Sequence, residues 1–230
     1  AAIYGPTLIA VDGTYDQANR LASELADNYR WAVVNINMRA FYAEGSKSLG
    51  YEVAEQLGWR APDHCVVPAA SGELHTKIWK GLQEMGDVGL IEAPKTEMHL
   101  TQAEGNAPIV QAFKNDWKTV KPVKPNTIAK SLAIGDPASG MFALEVLRET
   151  GGTAVACLEE EVVEGIKLLA ETEGIFTETA GGVVISGLRR LAESGKIKKD
   201  ELTIAFITGN GLKTQEVVED LVDPVQTSPD

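Results

Sequence analysis

The run His64-Cys65-Val66-Val67-Pro68-Ala69-Ala70-Ser71-Gly72-Glu73-Leu74 decides the fold of this chain. Its first half is a short apolar stretch of strand length. Its second half is a small-residue turn leading into Ile78, Leu82 and Met85 at helical spacing. A buried strand that turns through Ser-Gly into an amphipathic helix is the opening of a βα unit. Units of that kind, repeated, give a parallel sheet covered by helices.

The same alternation recurs on both sides. Leu8-Ile9-Ala10-Val11 and Trp31-Ala32-Val33-Val34 read as strands, with Ala18, Leu21, Ala22 and Leu25 on a helix between them, and Leu49, Val53 and Leu57 mark a further helix that ends at Gly58. Downstream, Met98-His99-Leu100-Thr101 reads as a strand, Pro108 to Lys114 as a short helix and Thr153 to Leu158 as a strand. Glu159-Glu160-Glu161 opens a helix carrying Val162, Val163, Ile166, Leu169 and Ala170, and these three carboxylates are expected to be a solvated first turn. The prolines from Pro94 to Pro137 make the intervening stretch, Lys118 to Pro125 above all, a surface loop. The expected fold is α/β: a three-layer, open, mostly parallel sheet with helices on both faces, in which Val11, Val33, Val66, Ile204 and Phe206 are buried strand residues.

At 230 residues the chain is long enough to bury roughly 70–75% of its unfolded surface. Its net charge of −12 argues against a nucleic-acid partner, because such binding rests on Lys and Arg neutralising phosphates. No apolar run approaches the roughly 20 residues of a membrane-spanning helix, and no signal-peptide pattern occurs, so neither a membrane nor a secreted location is expected. Cys65 and Cys157 lie in apolar strand-like runs and are expected to be reduced core residues, consistent with the cytoplasm. His64, His75 and His99 lack metal-ligand spacing, so no metal site is expected.

Three stretches carry chemistry. In Ala70-Ser71-Gly72-Glu73-Leu74 the backbone N–H groups at a helix start form an anion site without a basic side chain, and Ser71 adds a hydroxyl; an ordinary βα turn is the plain alternative. Thr203-Ile204-Ala205-Phe206-Ile207 is a buried strand running into Thr208-Gly209-Asn210-Gly211, which places the Thr208 hydroxyl at the carboxyl end of the sheet, where open α/β sheets bind ligands. Asn37 and Arg39, in the loop after Val34, offer an amide and a guanidinium whose planar fork matches phosphate oxygens.

Seven segments, in order, carry a resemblance over essentially the whole chain. They are Ala10-Val11-Asp12-Gly13 with Tyr15-Asp16-Gln17-Ala18; Tyr42-Ala43-Glu44-Gly45-Ser46-Lys47-Ser48; Val67 to Leu74; Gln102-Ala103-Glu104-Gly105; Ala133-Ile134-Gly135-Asp136-Pro137; Glu173-Gly174-Ile175-Phe176-Thr177-Glu178; and Thr208 to Lys213. The chain resembles the threonine synthases, pyridoxal-phosphate enzymes of the tryptophan-synthase-β-like fold. The resemblance implies that Ala70, Ser71, Gly72, Glu73 and Leu74 cradle the phosphate of pyridoxal 5'-phosphate and that Thr208 faces its ring nitrogen. It also implies that Asn37 and Arg39 hold the phosphate of the substrate, O-phosphohomoserine. Glu73 stands where relatives carry a small neutral residue, so its side chain must turn away from the phosphate.

The family resembled holds its cofactor as a Schiff base on a lysine in a Ser-Phe-Lys-Asp-like segment, and no such segment occurs here. The resemblance therefore implies a chain truncated at its N-terminus, in need of the missing portion, with no catalytic residue of its own. Lys47 is not a substitute, because its polar surroundings would not lower its pKa. The expected organisation is a remainder of a small domain at 1–58, a cofactor-binding domain at 59–221 and a flexible tail at 222–230. The function implied is conversion of O-phosphohomoserine and water to threonine and phosphate by the full-length enzyme, with a homodimer as its possible assembly. A threonine or serine dehydratase of the same fold, and an inactive binding domain, are the alternatives.

Overall fold

The computed structural model describes residues 2–35, 40–221, 223 and 225–229. Among the described residues four strands form one sheet: β1 (His64–Pro68), β2 (Glu97–Ala103), β3 (Ala154–Cys157) and β4 (Thr203–Ala205), in the order β3-β2-β1-β4. Every pairing is parallel. Strand β1 is central. It aligns Val66 with His99 on one side and with Ala205 on the other, and each ladder runs on past its strand, with Ala69 N–H donating to Thr101 O and Phe206 N–H to Val66 O.

Alternate residues of β1 face opposite layers, as the period of two requires. Cys65 and Val67 join Ile78, Leu82 and Met98 in one buried cluster, with Ile78 and Leu82 supplied by α4 (Glu73–Asp87). Behind α4 lies α3 (Ser48–Gln56), and beside it α6 (Gly140–Thr150). Val66, on the opposite face, packs with Val184 and Leu191 of α8 (Thr179–Glu193), which lies against α7 (Glu159–Glu173). Helix α5 (Pro108–Lys114) seats Ile109 and Val110 on Leu100. These layers make the molecule a parallel α/β sheet covered on both faces, as expected from the sequence.

Helix α8 escapes the sequence pattern because three of its first nine residues are glycines and five are β-branched or serine, a poor helix composition. Tertiary contact overrides propensity. A Cβ on Gly182 would lie 2.3 Å from Val162 O, so only glycine lets α8 approach α7 so closely.

Three expectations need correction. Leu8–Val11 and Trp31–Val34 are irregular rather than strands, and neither joins the sheet; Leu8 is 69% and Val34 84% exposed. A strand is stable only when its N–H and C=O groups find a ladder, and these runs meet none of the four strands. Between them α1 (Tyr15–Tyr29) does form, started by a capping box of Thr14 and Gln17. Strand β4 ends at Ala205, and Ile204 is only partly buried because β4 lies at the sheet's edge. Finally, the first turn of α7 is not simply solvated. Glu159 accepts from Ile128 N–H and the Thr127 hydroxyl, and Glu161 accepts from Leu158 N–H and binds Arg190 at 2.7 Å.

Leu82 is wholly buried, so Leu82→Ala should lower the unfolding free energy by about 3 kcal/mol, whereas Val34→Ala should change it by less than about 0.5. Urea denaturation of the two variants measures the contrast.

Candidate functional site

The carboxyl ends of β1 and β4 open into a cleft of about 280 Å³. One wall is the turn Ala70-Ser71-Gly72-Glu73-Leu74, with Pro68 beneath it. Ser131, Leu132 and Ile134 form the opposite wall, and Thr208, Glu178 and Ala180 close the end. All six residues that the sequence nominates for the cofactor thus line one cavity. Asn37 and Arg39 lie outside the described residues.

The turn presents backbone N–H groups at a helix start. Gly72 caps α4 with φ +87° and has no side chain to occupy the first amides of the helix, of which the one at Glu73 donates to the Ser71 hydroxyl at 3.4 Å. A Cβ there would meet Ser139 O at 3.0 Å and the Ala143 side chain at 3.1 Å, so space and backbone both require glycine. Ser71 stays in place through its own carbonyl, which accepts from Ser139 N–H. The Glu73 carboxylate, which would compete for an anion at this helix end, is taken up elsewhere: it accepts from the Ser139 hydroxyl and lies 3.7 Å from Lys77 Nζ.

At the other end, the segment before α8 clamps the loop after β4. Glu178 N–H and the Thr177 hydroxyl both donate to Gly209 O, and Gly211 N–H donates to Phe176 O. This bracket fixes the backbone next to Thr208, whose side chain is exposed to the cleft. Glu178, 3% exposed, gives one carboxylate oxygen to Lys213 at 3.1 Å; the other is buried without a hydrogen-bond partner.

Among the described residues lining the cleft there is no lysine. Lys47 is committed elsewhere, to Glu44 and Glu84 at 2.8 Å each, and these carboxylates hold its pKa above the usual lysine value. The two carboxylates favour its charged ammonium over the neutral amine. The sequence reading overlooked Glu178, Ser131, Leu132 and Ile134. For Glu178 a signal exists, since Thr177-Glu178-Thr179 is a polar cap before the apolar run of α8.

The histidines, scattered in sequence, are not all scattered in space. At the amino end of the sheet, His64 and His99 stack with centroids 5.2 Å apart, and Glu97 is within 4 Å of both. The three offer donor atoms close enough for a cation. Hydrogen-bond polarity speaks against one. Thr153 N–H donates to His99 Nδ1 at 3.0 Å, so neutral His99 carries its proton on Nε2 and donates it to His64 Nδ1 at 3.0 Å; His64 Nε2–H then donates to Glu201 at 3.0 Å. The nitrogens facing the would-be ion are already used, and Lys196 holds Glu97 at 2.8 Å. The hollow between α7 and α8 is equally committed, its Arg189 and Arg190 being paired with Glu193 and Glu161. Cys65 and Cys157 are free and buried, as expected.

A family model described as pyridoxal-phosphate dependent enzyme matches residues 1–209. The chain belongs to that family. It is 40% identical over 215 residues to the threonine synthase of Methanocaldococcus jannaschii, covering 93% of this chain and 52% of that protein. It is 34% identical over 225 residues to the threonine synthase of Methanosarcina acetivorans, covering 97% and 55%. The chain thus spans about half the length of the curated relatives it matches. Among solved structures it superposes on the processed form of threonine deaminase isoform 2 from Solanum lycopersicum with a TM-score of 0.74 at 20% identity, over 95% of this chain and 61% of that one. Diaminopropionate ammonia lyase from Escherichia coli gives 0.71 at 20% identity, over 91% and 57%. These superpositions show a fold shared with pyridoxal-phosphate enzymes.

Burial holds His75 at about 4 and His99 at about 3. Both lie below the ordinary histidine value near 6.5, so the folded chain binds fewer protons than the unfolded one. The stability involved is present above about pH 6.5 and is lost as pH falls towards 4, at about 1 kcal/mol per pH unit for each residue. Urea midpoints at pH 7.5, 6 and 5 should fall steadily, and His99→Gln should flatten the decline.

Proposed function

We propose that the cleft binds pyridoxal 5'-phosphate and that the complete protein is a threonine synthase, converting O-phosphohomoserine and water to threonine and phosphate. The observation that carries the reading is the convergence of the Ala70–Leu74 turn and Thr208, far apart in sequence, on neighbouring parallel strands at one cleft. The donor set fits the group at both ends. A helix start with a glycine cap suits a phosphate, and the Thr208 hydroxyl at the other end of the cleft suits the edge of a pyridine ring. The threonine synthase likeness supports the choice of substrate; a threonine or serine dehydratase has the shared fold alone in its favour.

In this reading the amides of Gly72, Glu73 and Leu74 and the Ser71 hydroxyl bind the cofactor phosphate, while Ala70 forms the wall beside it. Thr208 meets the ring nitrogen. The cofactor supplies an electron sink that stabilises negative charge on the substrate carbons. Asn37 and Arg39 take the substrate phosphate, with the fork of Arg39 reading two of its oxygens. Glu73 stays engaged by Ser139 and Lys77, which keeps its charge off the phosphate site. Moving protons among the substrate carbons needs a positioned amine, and no lysine lines the described cleft.

The expected outcome for the 230-residue chain is therefore binding without turnover. Pyridoxal phosphate should quench the intrinsic fluorescence saturably, and Ser71→Ala should weaken that binding about fivefold, the worth of one hydrogen bond. Phosphate release from O-phosphohomoserine should stay at background. A stoichiometric borohydride-trapped adduct on a single lysine, accompanied by phosphate release, would overturn the assignment of proton transfer to a residue beyond this cleft.

A further inference from the structure

The wall of the cleft opposite the Ser71–Gly72 turn belongs to no strand, and side chains from two distant places hold it. Leu132, in that wall, is packed in a cluster with Ala103 and Val183. Ile134 is not. It lines the cleft and also a second hollow of about 430 Å³, whose other side is Tyr15, Asp16, Asn19 and Arg20 of α1. A side chain with open space on two sides gains little from close packing, so polar bonds decide where its backbone lies.

Asn106, 1% exposed and just past the end of β2, gives its amide protons to Leu132 O at 2.7 Å and Ile134 O at 3.1 Å. An amide nitrogen carries two protons and can serve both carbonyls at once. From the other direction the Asp16 carboxylate accepts from Gly135 N–H at 3.0 Å and Asp136 N–H at 3.3 Å. Asp16 stands in the first turn of α1, a helix that buries none of its own residues, so these charge-assisted bonds are a main grip of α1 on the wall. We infer that Asn106 and Asp16 are positioning residues: the one from the sheet, the other from α1, they hold fixed the wall against which the cofactor ring is placed. The inference rests on the cofactor reading above and deepens it. It also ties α1 to a cleft that, among the described residues, no α1 side chain lines. A ligand that needs the wall in place favours the docking of Asp16, and the docking of Asp16 favours the ligand by the same factor.

The test uses the 230-residue chain with two ligands, pyridoxal phosphate and inorganic phosphate, of which the second needs the turn alone. Asn106→Ala and Asp16→Ala should each weaken pyridoxal phosphate about tenfold while changing inorganic phosphate by less than about twofold. Asp16→Ala leaves the core untouched, so it decides the matter if the buried Asn106→Ala variant fails to fold. In wild type, pyridoxal phosphate should also slow amide hydrogen exchange along α1, and Asp16→Ala should abolish that slowing. Equal losses for both ligands overturn the inference, because they show a structural role only. An Asp16→Ala protein that binds pyridoxal phosphate as wild type does, or an α1 whose exchange ignores the ligand, overturns it too. If wild type binds neither ligand, the cofactor reading itself falls and takes the inference with it.

Discussion

Everything at the cleft depends on the two parallel ladders that meet on β1. Because β1 pairs with β2 on one side and β4 on the other, the turn after β1 and the loop after β4 leave the same edge of the sheet side by side. Parallel pairing makes this unavoidable, since strands pointing the same way deliver their following loops to one end. Val66 O, accepting from Phe206 N–H, is the last rung before the chains diverge. A one-residue slip there would turn Thr208 away from Ser71 and move the apolar set of β4 to the other face.

The ladders bring the loops together, but other elements hold them in shape. Ser139, just before α6, does so twice, donating its N–H to Ser71 O and its hydroxyl to Glu73. On the far side Thr177 and Glu178 bracket Gly209. The cleft is therefore framed by helix starts, with those of α4 and α8 supplying its two ends. Binding residues stand on short turns whose backbone is pinned by the rigid layers beneath, which is how a scaffold gives precision to loop chemistry.

Much of this was legible in the sequence because it is local. The apolar run through Val66 and the Ser-Gly turn mark β1 and its βα corner, and Pro108 at the first turn sets the start of α5. Thr208 was legible as a hydroxyl on the loop that follows a strand, although that strand stops at Ala205 and is only partly buried at the sheet's edge. What could not be read is non-local. Helix α8 owes its existence to the crossing with α7 at Gly182, which propensity counts against. Leu8–Val11 and Trp31–Val34 have strand composition without a ladder to join. Glu178 looked like one of many glutamates, since its burial and its unpartnered oxygen arise only when β4 and α8 are brought together.

The paired imidazoles at the opposite pole of the sheet follow a rule of their own. Each ring gives through one nitrogen and receives through the other, so the chain of donors runs in one direction from Thr153 through His99 and His64 to Glu201. Adding a proton to His99 would set its Nδ1–H head to head with the Thr153 N–H across 3.0 Å, on top of the cost of a charge sealed inside the sheet. His99 thus resists a proton until the geometry around it gives way. Acid should therefore part β2 from the start of β3 before it charges that ring.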